Sequence, residues 1–487
     1  MTANVASIAN SGSLYEQLIG QVLAVESQPK LKLRTAQTDQ NVFKGVLSDL
    51  SSTVSRLDTL LTKFRDPLQS PFAARAASVP KGAGFTASAT DEAAPGQHAV
   101  RVDRLAQADA RLSKQVAATD ADLASTFSAG AAFTVHLAQP EGDPVEIAVS
   151  YVPEAGATND QVLAGVAAAV NDAVDAARTA GDLEAGTGAS ASVVRETSGT
   201  ARLSLRSGAT GYANRLTFTD SDGLLAALEL DRTDVRTGTG GGAVHDVGSG
   251  PEDSALNAAF TLDGLQLYRD ANTVGDALDG VTLTLGSVTE AEETLEVGPD
   301  VVGMRKQVEA FIKAYNEVTT FIGSRSTVNA ESGTRGAFVG DSAMRGLRLG
   351  MRTDLARAVP GTGDVTSLTD LGITTNRDGT LKLEDAEALE SALAASPGAV
   401  DALFGGEDGL ASRLQSRTEG LLGSSGTIAR RKKILDQKIE RIGSQIERWD
   451  ARLERREETL RAQFARLDEI SAQAQGQQAS ILSLFYF

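Results

Sequence analysis

Apolar residues recur at alternating intervals of four and three along residues 43–64: Phe43, Leu47, Leu50, Val54, Leu57, Leu61 and Phe64. That alternation puts all seven on one stripe of a helix, and a stripe of this kind must bury itself against something. Pro67 and Pro71 close the run, because proline cannot continue a helix interior. A second stripe lies in "QKIERIGSQIERWDARLERREETL" (437–460): Ile439, Ile442, Ile446, Trp449, Leu453 and Leu460, with Leu467 one heptad further. It is less regular. Arg456 and Gln463 fall on seam positions, and Gly443 costs about 1 kcal/mol relative to alanine in a helix interior. Periodicity leaves the partner of each stripe open between the other stripe, a second copy of the chain and an ordinary domain interior.

The remaining pattern divides the chain. The first 13 residues are small and polar and are expected to be disordered,. An amphipathic stretch follows, with Leu14, Leu18, Ile19, Val22, Leu23 and Val25, and stops before Pro29,. After residue 72 the period changes to two. "HAVRVDRLA", "FTVHLA", "VEIAVSYV", "ASVVRE", "ARLSLRS" and "RLTFTD" read as short strands, interrupted by one helical run at 159–178,. "AAFTVHL" (131–137) and "AAFTLDG" (258–264) suggest a weak repeat, each opening a strand, helix, strand unit. "RTGTGGGAVHDVGSGPED" (236–253) reads as a flexible linker,. Helical signals return at 302–323, 341–357 and 384–404, with a hairpin at 371–385 whose tip is Asp378-Gly379, and a final helix over roughly 430–470,. The fold class expected is α+β multidomain, with coiled-coil-like helical termini and two β-rich domains inserted between them.

Composition narrows the function. The 487 residues carry a net charge of −18, which argues against a nucleic-acid partner, since phosphate neutralisation needs excess Lys and Arg. The one compact basic run, Arg430, Arg431, Lys432 and Lys433, reads as a solvated helix turn. There is no cysteine, so no disulfide, thiolate metal site or cysteine nucleophile exists. No apolar run approaches the length of a spanning helix, and the N-terminus lacks the basic and apolar regions of a cleaved signal.

Chemistry finds no foothold. His98, His136 and His245 are scattered and fall in no metal-binding spacing. "TGTGGG" (237–242) lacks the Lys-Ser/Thr of a phosphate loop,. "DSDG" (220–223) begins like a calcium loop, but apolar residues follow from Leu224,. No catalytic, cofactor or metal residue is expected, and the chain reads as a non-enzyme.

Several stretches carry a resemblance to a known family: "LIGQVLAVESQPK" (18–30), "TVGDALDGVTLTL" (273–285), "FIKAYNEVTTFI" (311–322), "GAFVGDSAMRGLRLGMR" (336–352), "LTDLGITTNRDGTLKLED" (368–385), "VDALFGGEDGLASRL" (400–414) and the long run 426–470. They resemble the flagellar hook-associated protein 2 family, the caps of bacterial flagellar filaments. One departure is "ANSGSLYEQL" (9–18), where the family usually carries an Asp. The resemblance implies a division into a terminal leg at 1–40, helical domain at 41–71 and 301–425, inner β-domain at 72–115 and 255–300, outer β-rich domain at 116–254, and a C-terminal leg helix at 426–487. It implies a homo-oligomeric ring of five or six copies at the flagellum tip, outside the cell, reached by type III export. The partners it implies are flagellin, a hook-filament junction protein and a cytoplasmic export chaperone, with a role for the β-domains in adhesion. The two apolar stripes then become contacts with other copies or the filament. A junction protein or flagellin-like axial protein, and a secreted adhesin, are the alternatives.

Overall fold

The computed structural model describes residues 3–68, 70–139, 143–184, 186–331 and 333–484. In chain order, α1 (Ala3–Glu26) and α2 (Gln28–Arg65) precede the strands β1 (Arg75–Ser78), β2 (Phe85–Ala89), β3 (Gly96–Arg104), β4 (Ala108–Leu112) and β5 (Val116–Ala117). Next come α3 (Asp122–Thr126), β6 (Ala131–Leu137), β7 (Val145–Tyr151), α4 (Asn159–Ala180), β8 (Ala189–Thr197), β9 (Thr200–Thr210), β10 (Thr217–Asp220) and α5 (Leu224–Leu228). β11 (Gly242–Ala243), β12 (Ala258–Leu262), β13 (Leu265–Arg269), β14 (Thr273–Leu278), β15 (Val281–Leu285) and β16 (Glu293–Pro299) complete the β-rich stretch. The chain ends with α6 (Val301–Arg325), α7 (Ser342–Ala356), the hairpin β17 (Ile373–Thr375) and β18 (Leu381–Leu383), then α8 (Ala386–Ala395), α9 (Pro397–Gly405), α10 (Leu410–Leu422) and α11 (Thr427–Leu484).

Two compact units result, one from residues 1–73 and 301–487 and the other from 74–300. The helical unit is therefore built from both ends of the chain. Its core is organised by α2: Leu47, Leu50, Val54, Leu57, Leu61 and Phe64 are buried against α6, α9 and α10. Phe64 is the hub of an aromatic cluster, with ring centroids 5.5 Å from Phe72, 6.1 Å from Phe311 and 5.4 Å from Phe404. At Gly405 a Cβ would stand 2.1 Å from the Phe64 carbonyl oxygen, so only glycine allows α9 this close to the end of α2,.

The β-rich unit holds two main cores. One lies among the sheet β1-β16-β3-β12-β13 and the sheet β14-β15-β2, and contains Phe85, Val100, Val102, Phe260, Leu283 and Leu295. In the other, α4 packs on β7, β8 and β9 through Val162, Leu163, Val166, Val170 and Val174. The start of α4 is fixed by a capping box between Thr158 and Gln161, and its end by Gly181 at φ 85°,.

Three sequence expectations fail here. The proposed repeat does not extend: β6 leads through β7 to α4, whereas β12 turns at Asp263-Gly264 straight into β13 with no helix following. Positive φ at both Asp263 and Gly264 makes this a tight hairpin turn,. The Gly-rich segment 236–253 is not a flexible linker. Arg202 is 1% exposed and donates to the carbonyls of Gly238, Thr239, Gly240 and Ser113 at 2.9, 3.3, 2.9 and 2.7 Å, while Nε meets Glu196 at 2.8 Å. The glycines permit this close backbone approach, a property indistinguishable from flexibility in composition alone. Finally, α1 is helical from Ala3, where small polar composition suggests disorder. Extending a formed helix by a residue is far cheaper than nucleating one, and nothing between Ala3 and Glu26 is a proline,.

The minor motifs resolve as structural. Asp220 accepts from the backbone N–H groups of Gly223 and Ala226 at 3.0 and 2.8 Å, so "DSDG" is a turn that holds α5. His98 Nδ1 lies 2.8 Å from Asp263, and His136 Nε2 lies 2.8 Å from Thr219 Oγ1. Among the described residues no cluster of His, Cys, Asp or Glu is arranged to hold a metal, and no helix is long and apolar enough to cross a membrane.

Candidate assembly surface

Beyond the core of the helical unit, α1 and the first half of α2 lie along α11 as a two-helix arm. The pairs fix the orientation. Lys44 meets Asp436, Lys30 meets Asp450, Glu26 meets Arg456 at 3.1 Å, and Glu16 meets Arg461 at 2.6 Å. The rings of Tyr15 and Phe464 stack with centroids 4.7 Å apart. Numbers fall along one helix as they rise along the other, so the arm is antiparallel. From Lys44 to Tyr15 it runs about 40 Å at the helical rise per residue.

The irregularities in the second stripe now have partners. Arg456 reaches Glu26, and the nearest side-chain atom that a Cβ at Gly443 would meet is Gln37 Nε2, at an ordinary 3.6 Å. Polar groups on a seam lower stability but select one register and direction, because any slip leaves them facing apolar side chains. The first stripe also begins earlier than Phe43. Stepping back by threes, fours and whole heptads meets Gln40, Ala36, Leu33, Glu26, Ile19 and Tyr15, all turned at least partly inward. The signal was present in the spacing, but polar residues at Gln40 and Glu26 and the break at Pro29 hid it. Pro29 occupies the first turn of α2, where its missing N–H costs nothing,.

The predicted contact residues therefore separate. Leu47, Leu50, Val54, Leu57, Leu61 and Phe64 are at most 1% exposed, and Phe43 packs against the same core. They pack in the interior of their own helical unit, covered by helices from the distant half of the sequence. Ile439, Ile442, Ile446, Trp449 and Leu453 are only half-buried, and Leu460 is buried at 8%. Leu467 is 51% exposed. Two helices cannot cover a stripe of this width, so Leu18, Val22, Val25, Leu31 and Ile470 also face outward,. The side chain of Leu14 lies outside the described residues. Trp449 sits between two surface grooves of about 610 and 700 Å³, the first lined with Lys32, Leu33, Arg448 and Arg452, the second with Val25, Arg455 and Arg456.

The arm is rooted in the core of the helical unit. Ile428 and Leu435 of α11 join the core. Arg431 binds Asp341, with Nη2 at 3.0 Å from Oδ1, and Asp341 also caps α7 by accepting from Ala343 and Met344 at 3.0 and 3.2 Å. The Arg431 guanidinium, joined by those two N–H groups, holds the Asp341 carboxyl below its usual 3.8. A depressed folded-state value means this carboxylate stabilises the fold above the unfolded value and loses that contribution as pH falls through the folded one. Acid titration of the whole chain, followed by urea melts, should show the helical unit weakening below about pH 4. Arg431→Gln should flatten that acid limb and lower stability near neutrality by about 1 kcal/mol; an unchanged acid limb would contradict the assignment.

A helical unit closed by both chain ends, a β-rich insertion and a half-covered helical arm are the features by which the chain can be compared with known proteins. The family model for the flagellar hook-associated protein 2 N-terminus matches residues 11–109, and that for its C-terminus matches residues 255–476. The A-type flagellar hook-associated protein 2 of Pseudomonas aeruginosa is 30% identical over 485 residues, spanning 97% of this chain and 96% of that one. The flagellar hook-associated protein 2 of Xenorhabdus nematophila is 24% identical over 510 residues, spanning 99% and 100%. The crystal structure of the D1-D2-D3 domains of the flagellar cap protein FliD from Escherichia coli shares the fold, with a TM-score of 0.53 at 23% identity over 80% of this chain and 99% of that one. The chain belongs to the flagellar hook-associated protein 2 family, the filament cap proteins of the bacterial flagellum.

Proposed function

We propose that this chain caps the distal tip of the flagellar filament as a ring of copies, outside the cell, and that under the ring exported flagellin folds and is inserted rather than lost to the medium. The observation that carries this reading is the arm. A stable domain has no use for about 40 Å of helix pair with its apolar stripe half in water, but a subunit that docks into a filament does. In this reading Ile439, Ile442, Ile446, Trp449, Leu453, Leu460 and Leu467 contact other copies, flagellin or the hook-filament junction protein. Before export a cytoplasmic chaperone covers the same stripe. The β-rich unit is presented to the outside, where adhesion to surfaces is a secondary role.

Deleting the gene tests it. Filaments should be absent or severely shortened, with monomeric flagellin accumulating in the medium, and the full chain supplied in trans should restore growth. Normal filaments without leaked flagellin would end the proposal.

A further inference from the structure

We propose that ionic strength acts on the two units of this chain in opposite directions, so that salt firms the β-rich unit and loosens the helical arm. The acidity of the chain is not shared between them. Residues 74–300 hold 33 Asp and Glu against 14 Lys and Arg, a net charge of −19, whereas residues 1–73 and 301–487 together hold 31 against 32, a net charge of +1. Even with every cation of the β-rich unit matched to an acid, 19 carboxylates are left over. Its cations are already committed to the interior or to a near neighbour. Arg111 and Arg202 are 1% exposed, and Arg101, Arg178, Arg195 and Arg269 each bind one carboxylate at 2.6–2.9 Å.

Like charges gathered on one compact body repel one another, and screening decides how many of them interact. A domain of 227 residues has a radius of gyration of about 17 Å. The Debye length is about 30 Å at 0.01 M salt and about 8 Å at 0.15 M. In a dilute medium the repulsion therefore reaches across the whole β-rich unit, and in a saline one it is confined to neighbours. Unfolding spreads the same charges apart, so dilution favours the unfolded state of this unit and salt favours the folded one. The acids are dispersed along the insertion from Asp91 to Asp300, and among the described residues no cluster of them is arranged to hold a metal. The response accordingly belongs to ionic strength and not to one cation.

The arm has the opposite sign because attractions join its helices: Lys44 with Asp436, Lys30 with Asp450, Glu26 with Arg456 and Glu16 with Arg461. In each pair at least one side chain is more than two-fifths exposed, and exposed pairs weaken as salt rises. The apolar stripe between them is only half-buried, so it offsets little of that loss. The core around Phe64 is apolar and lies in the unit whose charges balance, which makes it an internal reference. A change from a dilute to a saline medium thus firms the insertion and frees the arm to exchange what it lies against. This opposition follows from charge and exposure, and it stands apart from the ring reading.

Hydrogen exchange of the full chain at neutral pH, read by segment in about 10 mM and about 150 mM NaCl, tests it. On going to the higher salt, amides of β3, β9 and β12 should exchange several-fold more slowly and those of residues 15–44 and 436–464 several-fold faster, while those of α6 near Phe311 hold. Emission of Trp449, the single tryptophan, should move to the red as the arm loosens. Choline chloride at the same concentrations should act as NaCl does. The combined variant Glu92→Lys, Glu252→Lys, Glu290→Lys and Glu292→Lys, all at exposed positions, brings the β-rich unit to −11. It should remove about two-thirds of the response of the strands, since self-repulsion grows as the square of the net charge, and leave the response of the arm whole. Strands and arm moving in the same direction, or either one indifferent to salt, overturns the inference. So does protection by NaCl that choline chloride fails to reproduce, or an unchanged response of the strands in the folded variant. Each of these outcomes leaves the filament phenotype of the gene deletion to decide the ring reading by itself.

Discussion

Phe64→Ala should remove about 3–5 kcal/mol from the helical unit, a large part of the stability a domain of this size possesses. The side chain is 1% exposed and touches three other aromatic rings, so the cavity is walled by Phe72, Phe311 and Phe404 from three different elements. Close approach of α9 at Gly405 leaves little freedom to collapse into the space. Because the β-rich unit has its own cores, calorimetry should resolve one transition that falls and one that stays. Equal movement of both, or a loss under about 1 kcal/mol, would show that the cluster is not the organising contact of the helical unit.

Arg202→Met is expected to cost a similar amount, about 3–5 kcal/mol, because removing one partner of a buried charged network strands the others. Four backbone carbonyls and the Glu196 carboxylate take hydrogen bonds from this one guanidinium. Arg202→Lys should rescue little. A single ammonium cannot span acceptors arranged around a planar fork. Limited proteolysis gives the sharper readout: the native chain should resist cleavage in 236–243, and the variant should be cut there first. A variant as resistant as the native protein would mean that the Gly-rich segment is held by other contacts.

That second case shows where sequence reading stops. In "ARLSLRS" the alternation places Arg202, Ser204 and Arg206 on the polar face of β9, which reads as the solvent side. At Arg202 that face is instead covered by a loop more than thirty residues downstream, and no local pattern announces it. The helical ends and β-rich middle were legible because period and composition change together near residues 72 and 300. The stripe from Phe43 to Phe64 was legible as buried, but its partners were not, since periodicity describes one surface and not what faces it. The α11 arm was half legible: Ile439 to Leu467 stood out, whereas Glu26 and Arg456 became meaningful only once they were seen 3.1 Å apart.

The partners Glu26 and Arg456 are 430 positions apart in the chain. Closing a loop of that length is entropically costly, though each doubling adds only about 0.6 kcal/mol, and during synthesis it cannot close until α11 has been made. A chain truncated anywhere before Thr427 leaves α1 and the first half of α2 with no helix to lie against. The arm is thus a check on length: a chain cut short of α11 presents an unpaired apolar helix, and only one that carries both segments can zip them together.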